Sequence, residues 1–324
     1  MQLPVDVKAL IDEATNNDAA RQIPLSVSVY LDDAAPADLI AHVRAALTSS
    51  QPTVRLTLNY LADFTAPHPT DDMAVIVAGV SESVGAHAAA IRAVGVPVAV
   101  VTSLPEIVAG LAEASGNGIP EGDLVSPQVE GGSLAAEPYA LDNARRASID
   151  ERLGRWIVSA CHEKRLAFAV AFPFVRKPLA DDAVFSTALI NAGIGLIPLI
   201  PGADLPIMTL NQAKMVLQIA AAYDLPMGKE RIREIVAVVG AAFACRALAR
   251  ELVEFVPVLG FIVKPGIGYA ATTAMGYAVI EYFEGGQSVS GMAKVANSFA
   301  EKGGAVVAFA KDKLSAIVPA GDAA

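Results

Sequence analysis

The residues best placed to do chemistry in this chain are three aspartates and one glycine-serine loop. Asp32, Asp33 and Asp63 lie near the ends of alternating apolar runs, and hard carboxylate oxygens gathered at strand ends suit a Mg²⁺ ion. Gly79, Ser81, Ser83 and Gly85, within GVSESVG, stand between an apolar run and a helical one. Backbone N–H groups at a helix N-terminus attract an anion, so this loop is a candidate phosphate cradle. Both readings compete with plainer ones. Loop aspartates cap helices and stay solvated, and two glycines at this spacing also make an ordinary strand-to-helix turn, with Glu82 opposing an anion.

Other chemistry finds less support. The loop after the first strand, Asp32 to Asp38, reads DDAAPAD and has neither the glycine nor the lysine of a Walker A site, only carboxylates that repel phosphate. Gly286 to Gly291, GQSVSG, copies the first six positions of a P-loop, but Met292 and Ala293 stand where Lys and Ser or Thr belong. His42, His68, His87 and His162 show no metal-ligand spacing, and no serine or cysteine occupies a GxSxG elbow. Cys161 and Cys245 lack a CxxC partner and read as small buried hydrophobes of a reducing compartment. The expectation is a chain that is not an enzyme, with no catalytic residue and no cofactor.

The elements that must position the candidates divide into two sets. Pro24 to Leu31 and Thr53 to Tyr60 alternate as strands do; Ala74 to Gly79 and Val96 to Thr102 are continuous apolar runs of buried strands; Ala37 to Leu47 and Val84 to Val94 have helical spacing. Strands interleaved with helices predict an α/β layer with a mostly parallel sheet. Gly116 to Glu137 reads as a loop around one short strand, Leu124 to Ser126, and Leu141 to Phe172 turns helical. We place the domain boundary near 137–141, giving an α/β domain over 1–138 and an apolar helical domain over 139–324.

Charge separates the halves as well. Residues 1–160 hold 9 basic and 20 acidic side chains, and residues 161–324 hold 15 and 14, within a net charge of -10. An acidic front half without a basic, aromatic-studded strip excludes nucleic acid as a partner. The N-terminus carries Asp6, Asp12 and Glu13 where a secretion signal would be basic and then apolar.

The second half is apolar enough to raise the question of lipid. Hydrophobic residues make up 54 % of the chain. Residues 183–203 and 256–280 approach the ~20 apolar residues of a spanning helix. Each is interrupted, the first by Asn191, Pro198 and Pro201 and the second by Lys264-Pro265-Gly266, which reads as a turn. Arg176, Lys177, Arg246 and Arg250 flank them, as basic residues do beside an anionic cytoplasmic leaflet. Asp204 opens a further helix to about Tyr223, whose polar stripe is Asn211, Lys214 and Gln218. Gly266, Ala270, Ala274 and Ala278 recur at steps of four, a spacing that lets another backbone approach closely.

The order of these features carries a resemblance. Residues 197–225, IPLIPGADLPIMTLNQAKMVLQIAAAYDL, followed by 246–286, RALARELVEFVPVLGFIVKPGIGYAATTAMGYAVIEYFEGG, resemble the YcjF-type domain, a domain of unknown function found after Era-like GTPase domains and in bacterial inner-membrane proteins. The resemblance covers about 165–300 and implies a helical, membrane-linked partner of a GTPase module, with no assigned activity. The front half is then similar to a small GTPase domain or to a plain Rossmann-like domain. Every nucleotide position departs from the GTPase pattern: Asp32 to Asp38 fills the P-loop slot, Asp63-Phe64-Thr65-Ala66 the DxxG slot, and Thr102-Ser103-Leu104-Pro105 the guanine-reading slot.

The expectation is therefore a Rossmann-like or degenerate G-domain-like α/β sheet followed by a hydrophobic helical domain. It is a non-catalytic scaffold or regulator on the cytoplasmic side of the inner membrane, contacting lipid through 183–203 and 256–280, or a protein partner or second copy. The alternative is a soluble cytoplasmic enzyme binding a nucleotide or metal at an atypical site.

Overall fold

The computed structural model describes residues 7–128, 140–196, 204–225 and 260–285. The expected P-loop mimic at 286–291, Cys245, the basic pair Arg246 and Arg250, and the prolines at 198 and 201 lie outside the described residues. By internal contacts the chain divides into two compact units, Ala19–Leu179 on one side and Met1–Asp18 with Ala180–Ala324 on the other.

The first unit is an α/β layer. Five strands, β1 (Leu25–Leu31), β2 (Val54–Tyr60), β3 (Met73–Val77), β4 (Val98–Val101) and β5 (Leu124–Val125), form one sheet in the order β2-β1-β3-β4-β5. All four pairings are parallel. This is the flavodoxin-like order of doubly wound sheets. The central strands are buried on both faces, which explains why MAVIV and VAVV are unbroken apolar runs while β2, at the edge, alternates.

Helices follow from the same sequence logic. α2 (Ala37–Ala46) lies between β1 and β2, α3 (Val84–Ala93) between β3 and β4, and α4 (Pro105–Ala114) between β4 and β5. Pro105 sits at the start of α4, where its missing N–H costs nothing. The chain leaves β1 toward β2 and later runs the other way through β3, β4 and β5. Right-handed crossovers then put α2 on one face and α3 and α4 on the other. On the latter face Tyr30, Ala74, Ile76, Val98 and Val100 pack with Val84, Ala88, Ile91 and Val108. Each such fully buried aliphatic side chain contributes ~1.5–3 kcal/mol of transfer free energy.

Residues 140–179 join this unit, beyond the boundary near 137–141 read from the sequence. The α5 helix (Asn143–Ala160) opens on Asp142, whose carboxylate accepts the Arg145 N–H at 2.8 Å. Ile149, Leu153 and Ile157 of α5 are fully or almost fully buried, and Trp156 Nε1 donates to Asp123 at 3.0 Å. The short α6 (Arg165–Ala171) brings Phe168 and Phe172 into the same core. The sequence shows the helical period here but not which layer it covers.

The second unit is helical: α1 (Val7–Arg21) up to Asp18, α7 (Arg176–Leu196) from Ala180, α8 (Asp204–Ala222) and α9 (Gly260–Glu284). The α9 helix runs through 264–266, where the sequence predicts a turn. Its close approach to α7 involves Gly268 and Gly276, with Thr272 between them. A Cβ on Gly276 would fall 2.2 Å from Val184 Cγ2, and one on Gly268 3.1 Å from the Asn191 carbonyl oxygen. The polar stripe of α8 does not face water throughout. Lys214 Nζ lies 3.4 Å from Glu13 and Gln218 donates to Glu13 at 3.0 Å, so the stripe docks α1.

Candidate functional site

In a doubly wound sheet, ligands settle outside the carboxyl ends of the strands, where the strand order reverses. Here that point lies between β1 and β3, and three sequence candidates meet there. Asp32, the first residue after β1, is 3 % exposed. Its Oδ2 accepts the Gly79 N–H at 2.8 Å; its Oδ1 accepts the Ser81 hydroxyl at 2.6 Å and the Ala34 N–H at 3.0 Å. The main chain joins the same point, since Asp32 N–H donates to the Val77 carbonyl at 3.0 Å.

This arrangement closes the crevice rather than lining it. A Cβ at Gly79 would lie 2.2 Å from both the carbonyl carbon and oxygen of Ala34 and 2.4 Å from the Ala35 nitrogen. The loop after β1 therefore rests backbone to backbone on the loop after β3. Gly79 is glycine because another main chain occupies its side-chain space. Gly85 has a similar cause in a different place: a Cβ there would meet the Asn117 oxygen at 2.5 Å and Ala112 Cβ at 2.8 Å, where α3 packs on α4.

The remaining candidates stay apart from this bridge. Asp33 and Ser83 are exposed, and Ser83 precedes α3 without a side-chain capping bond. Asp63 is exposed in a short 3-10 turn after β2. Among the described residues no group of three or more His, Cys, Asp or Glu side chains could hold a metal ion. At the loop after β4, compared with a guanine-reading slot in the sequence, Thr102 and Ser103 are buried, and Thr102 Oγ1 accepts the Leu104 N–H at 3.0 Å.

One polar cluster and one aromatic stack escape the sequence reading. The β2-to-β3 connection contains no α-helix, and on that side the sheet presents Ser26 and Ser28. Asp71, almost buried, accepts the Ser26 hydroxyl at 2.6 Å, the Ser28 hydroxyl at 2.7 Å and Arg55 Nη2 at 2.7 Å. Burial pushes its carboxyl up, but the two hydroxyls and the guanidinium outweigh that and hold it below the usual range. Alternating serines in an apolar strand, with an Asp-Asp pair ahead of β3, are the signal that would have revealed it. Nearby, Phe64 stacks on His87 with ring centroids 4.2 Å apart and tilts against Tyr30 at 5.3 Å. Burial lowers the His87 pKa, against the pull of Asp32. Phe64 thus covers the face that a crossover helix covers elsewhere.

Two further sites hold titratable groups in packed contacts. His42 Nε2 and Asp150 Oδ1 are 2.8 Å apart, joining α2 to α5, and burial raises the Asp150 carboxyl. Cys161 is buried, and its thiol is pushed up to about 12 by burial and then by Asp72, which leaves it without a reactive thiolate.

In the second unit, Asn191 is the hub of a buried polar network. Its Nδ2 donates to Thr272 Oγ1 at 3.0 Å and to the Met208 carbonyl at 3.4 Å, and its Oδ1 accepts from Asn211 at 3.0 Å. Gln212 donates to Thr272 at 2.9 Å, and Thr272 donates to the Gly268 carbonyl at 2.8 Å. Asn191, the residue that spoils an apolar span in the sequence, ties three helices together. Among the described residues no helix is long and apolar enough to cross a membrane. Compared with known proteins, the chain matches no family model, no curated protein and no solved structure.

Proposed function

We propose that this chain is a non-catalytic scaffold or regulator that associates with a membrane surface through its helical unit. The observation that carries the first part is the Asp32 bridge. The carboxylate that a metal or nucleotide site would need is engaged by Gly79, Ser81 and Ala34, and the loops that would cradle phosphate fill each other's space. Of the two α/β readings, the Rossmann-like one is favoured over a degenerate G-domain by the all-parallel β2-β1-β3-β4-β5 order. The helical unit is read as YcjF-type, on the sequence resemblance.

Support for surface contact comes from α7. Phe185, Leu189 and Ile190 are 56 %, 50 % and 56 % exposed, and Ser186 and Gly193 continue the same outward face. An apolar face of this kind lies in an interface plane without spanning it. Flotation with vesicles containing one-third anionic lipid tests the proposal. The full chain is expected to float, and Phe185→Ser/Leu189→Ser/Ile190→Ser to lose most of the bound fraction, with ~1 kcal/mol or more of partitioning energy removed per side chain. A chain that stays at the bottom of the gradient contradicts membrane association. The competing reading, an enzyme with an atypical nucleotide or metal site, requires saturable binding of nucleotide or Mg²⁺.

A further inference from the structure

We infer that the open edge of the sheet is a self-association surface, on which β2 pairs antiparallel with β2 of a second copy of this chain. β2 is the terminal strand of the sheet and runs seven residues without interruption of register. Thr57, Leu58 and Tyr60 are exposed, Leu58 by 45 % and Tyr60 by 57 %. Edge strands of monomers are usually blunted by lysine, proline, a bulge or a covering segment. β2 has none of the first three, and its one cation, Arg55, leans across the sheet toward β1 while its side chain stays 64 % exposed: Nε and Nη2 donate to Ser26 Oγ at 2.9 and 2.6 Å, and Nη2 to Asp71 at 2.7 Å.

The strand is also complementary to itself. The Leu25 N–H donates to the Thr53 carbonyl, so in a parallel ladder the peptide groups of Arg55, Thr57 and Asn59 face β1. Those of Val54, Leu56, Leu58 and Tyr60 point to the free edge, and the Val54 N–H accordingly bonds Gln51 and not β1. A two-fold axis at Thr57 matches all seven residues. It sets Leu56 against Leu58 and Val54 against Tyr60 as hydrogen-bonded pairs on one face, with Arg55 against Asn59 and Thr57 against Thr57 on the other. Outward peptide groups thus meet outward peptide groups, apolar meets apolar, and no like charges oppose each other. An axis at Arg55 would set guanidinium against guanidinium and leave strand unpaired. Such an isologous contact is the form closed dimers take. A second copy satisfies each of these matches at once, which an unrelated peptide would have to reproduce separately.

The test is sedimentation of the full chain between about 1 and 100 μM, together with two substitutions at the axis. Thr57→Lys places two like charges opposite each other on an exposed position and is expected to weaken the dimer at least tenfold with an unchanged circular dichroism spectrum. Thr57→Cys sits at a non-hydrogen-bonded pair, where opposed Cα atoms are about 4.5 Å apart, within disulfide range. With oxidised glutathione accepting the two electrons, it is expected to cross-link, while Thr53→Cys and the unsubstituted chain do not. A monomer throughout this range, a dimer indifferent to Thr57→Lys, or equal cross-linking at 53 and 57 would each overturn the inference. A monomer that instead binds an extended peptide of another protein at β2 would overturn it too. The inference is independent of lipid contact, because a monomer that floats with vesicles sinks it and leaves the proposed function standing.

Discussion

Gly79→Ala is expected to destabilise the α/β unit by about 3 kcal/mol, at the upper end of what overpacking costs. The added methyl meets three backbone atoms at 2.2–2.4 Å, and none of them belongs to a flexible side chain that could swing away. The loop after β1 would have to withdraw, stretching the Gly79, Ser81 and Ala34 bonds to Asp32 with it. For a unit of this size that corresponds to a fall in Tm of roughly 6–12 °C. Gly110→Ala is the control: nothing lies within 4 Å of its Cβ, it sits in α4, and there alanine is expected to be neutral or stabilising by up to about 1 kcal/mol. Thermal denaturation of both variants separates close backbone approach from a general intolerance of substitution. Equal effects would refute the packing argument.

Asn191→Leu should cost the helical unit about 2–3 kcal/mol. Leucine keeps the bulk but leaves the Asn211 amide without its acceptor and removes one of the donors to Thr272, at a site where Asn191 and Thr272 are fully buried. Stranding a buried polar group costs its desolvation, about 1–3 kcal/mol, whereas replacing all partners by apolar groups of similar shape is nearly neutral. The quadruple change Asn191→Leu/Asn211→Leu/Gln212→Leu/Thr272→Val should therefore recover much of the loss. Denaturant unfolding read by hydrogen exchange in α7, α8 and α9 resolves this from unfolding of the other unit. If the quadruple variant is less stable than the single one, the network contributes more than mutual satisfaction.

The two variants probe features of different legibility. Strands β3 and β4 could be read because a strand buried on both faces is apolar throughout, and β2 because a strand at an edge alternates; β1 is legible by alternation too, its serines facing Asp71. The α8 helix could be read from an aspartate ahead of a nearly all-apolar helical period. What could not be read is whatever depends on strand order. Asp32 and Gly79 are 47 residues apart and meet only because β1 and β3 are neighbours, so one candidate metal ligand and one candidate phosphate glycine proved to be each other's partners. Nor does local pattern show that Gln218 reaches Glu13, 205 residues away, or that the stripe on α8 is a docking seam for α1. Nor does the sequence show that Gly268 and Gly276 of α9 are the glycines that touch α7, because several small residues share that helix and only the packing selects among them.

The account rests on the switch-point crevice being closed by the protein's own loops. Titration calorimetry of the full chain with GTP and ATP, each with Mg²⁺, and with Mg²⁺ alone tests this most directly. Heats of dilution only, up to millimolar ligand, for both the unsubstituted chain and Asp32→Ala, are the predicted result. Saturable micromolar binding that Asp32→Ala abolishes would contradict it, and would make Asp32 a ligand held in reserve.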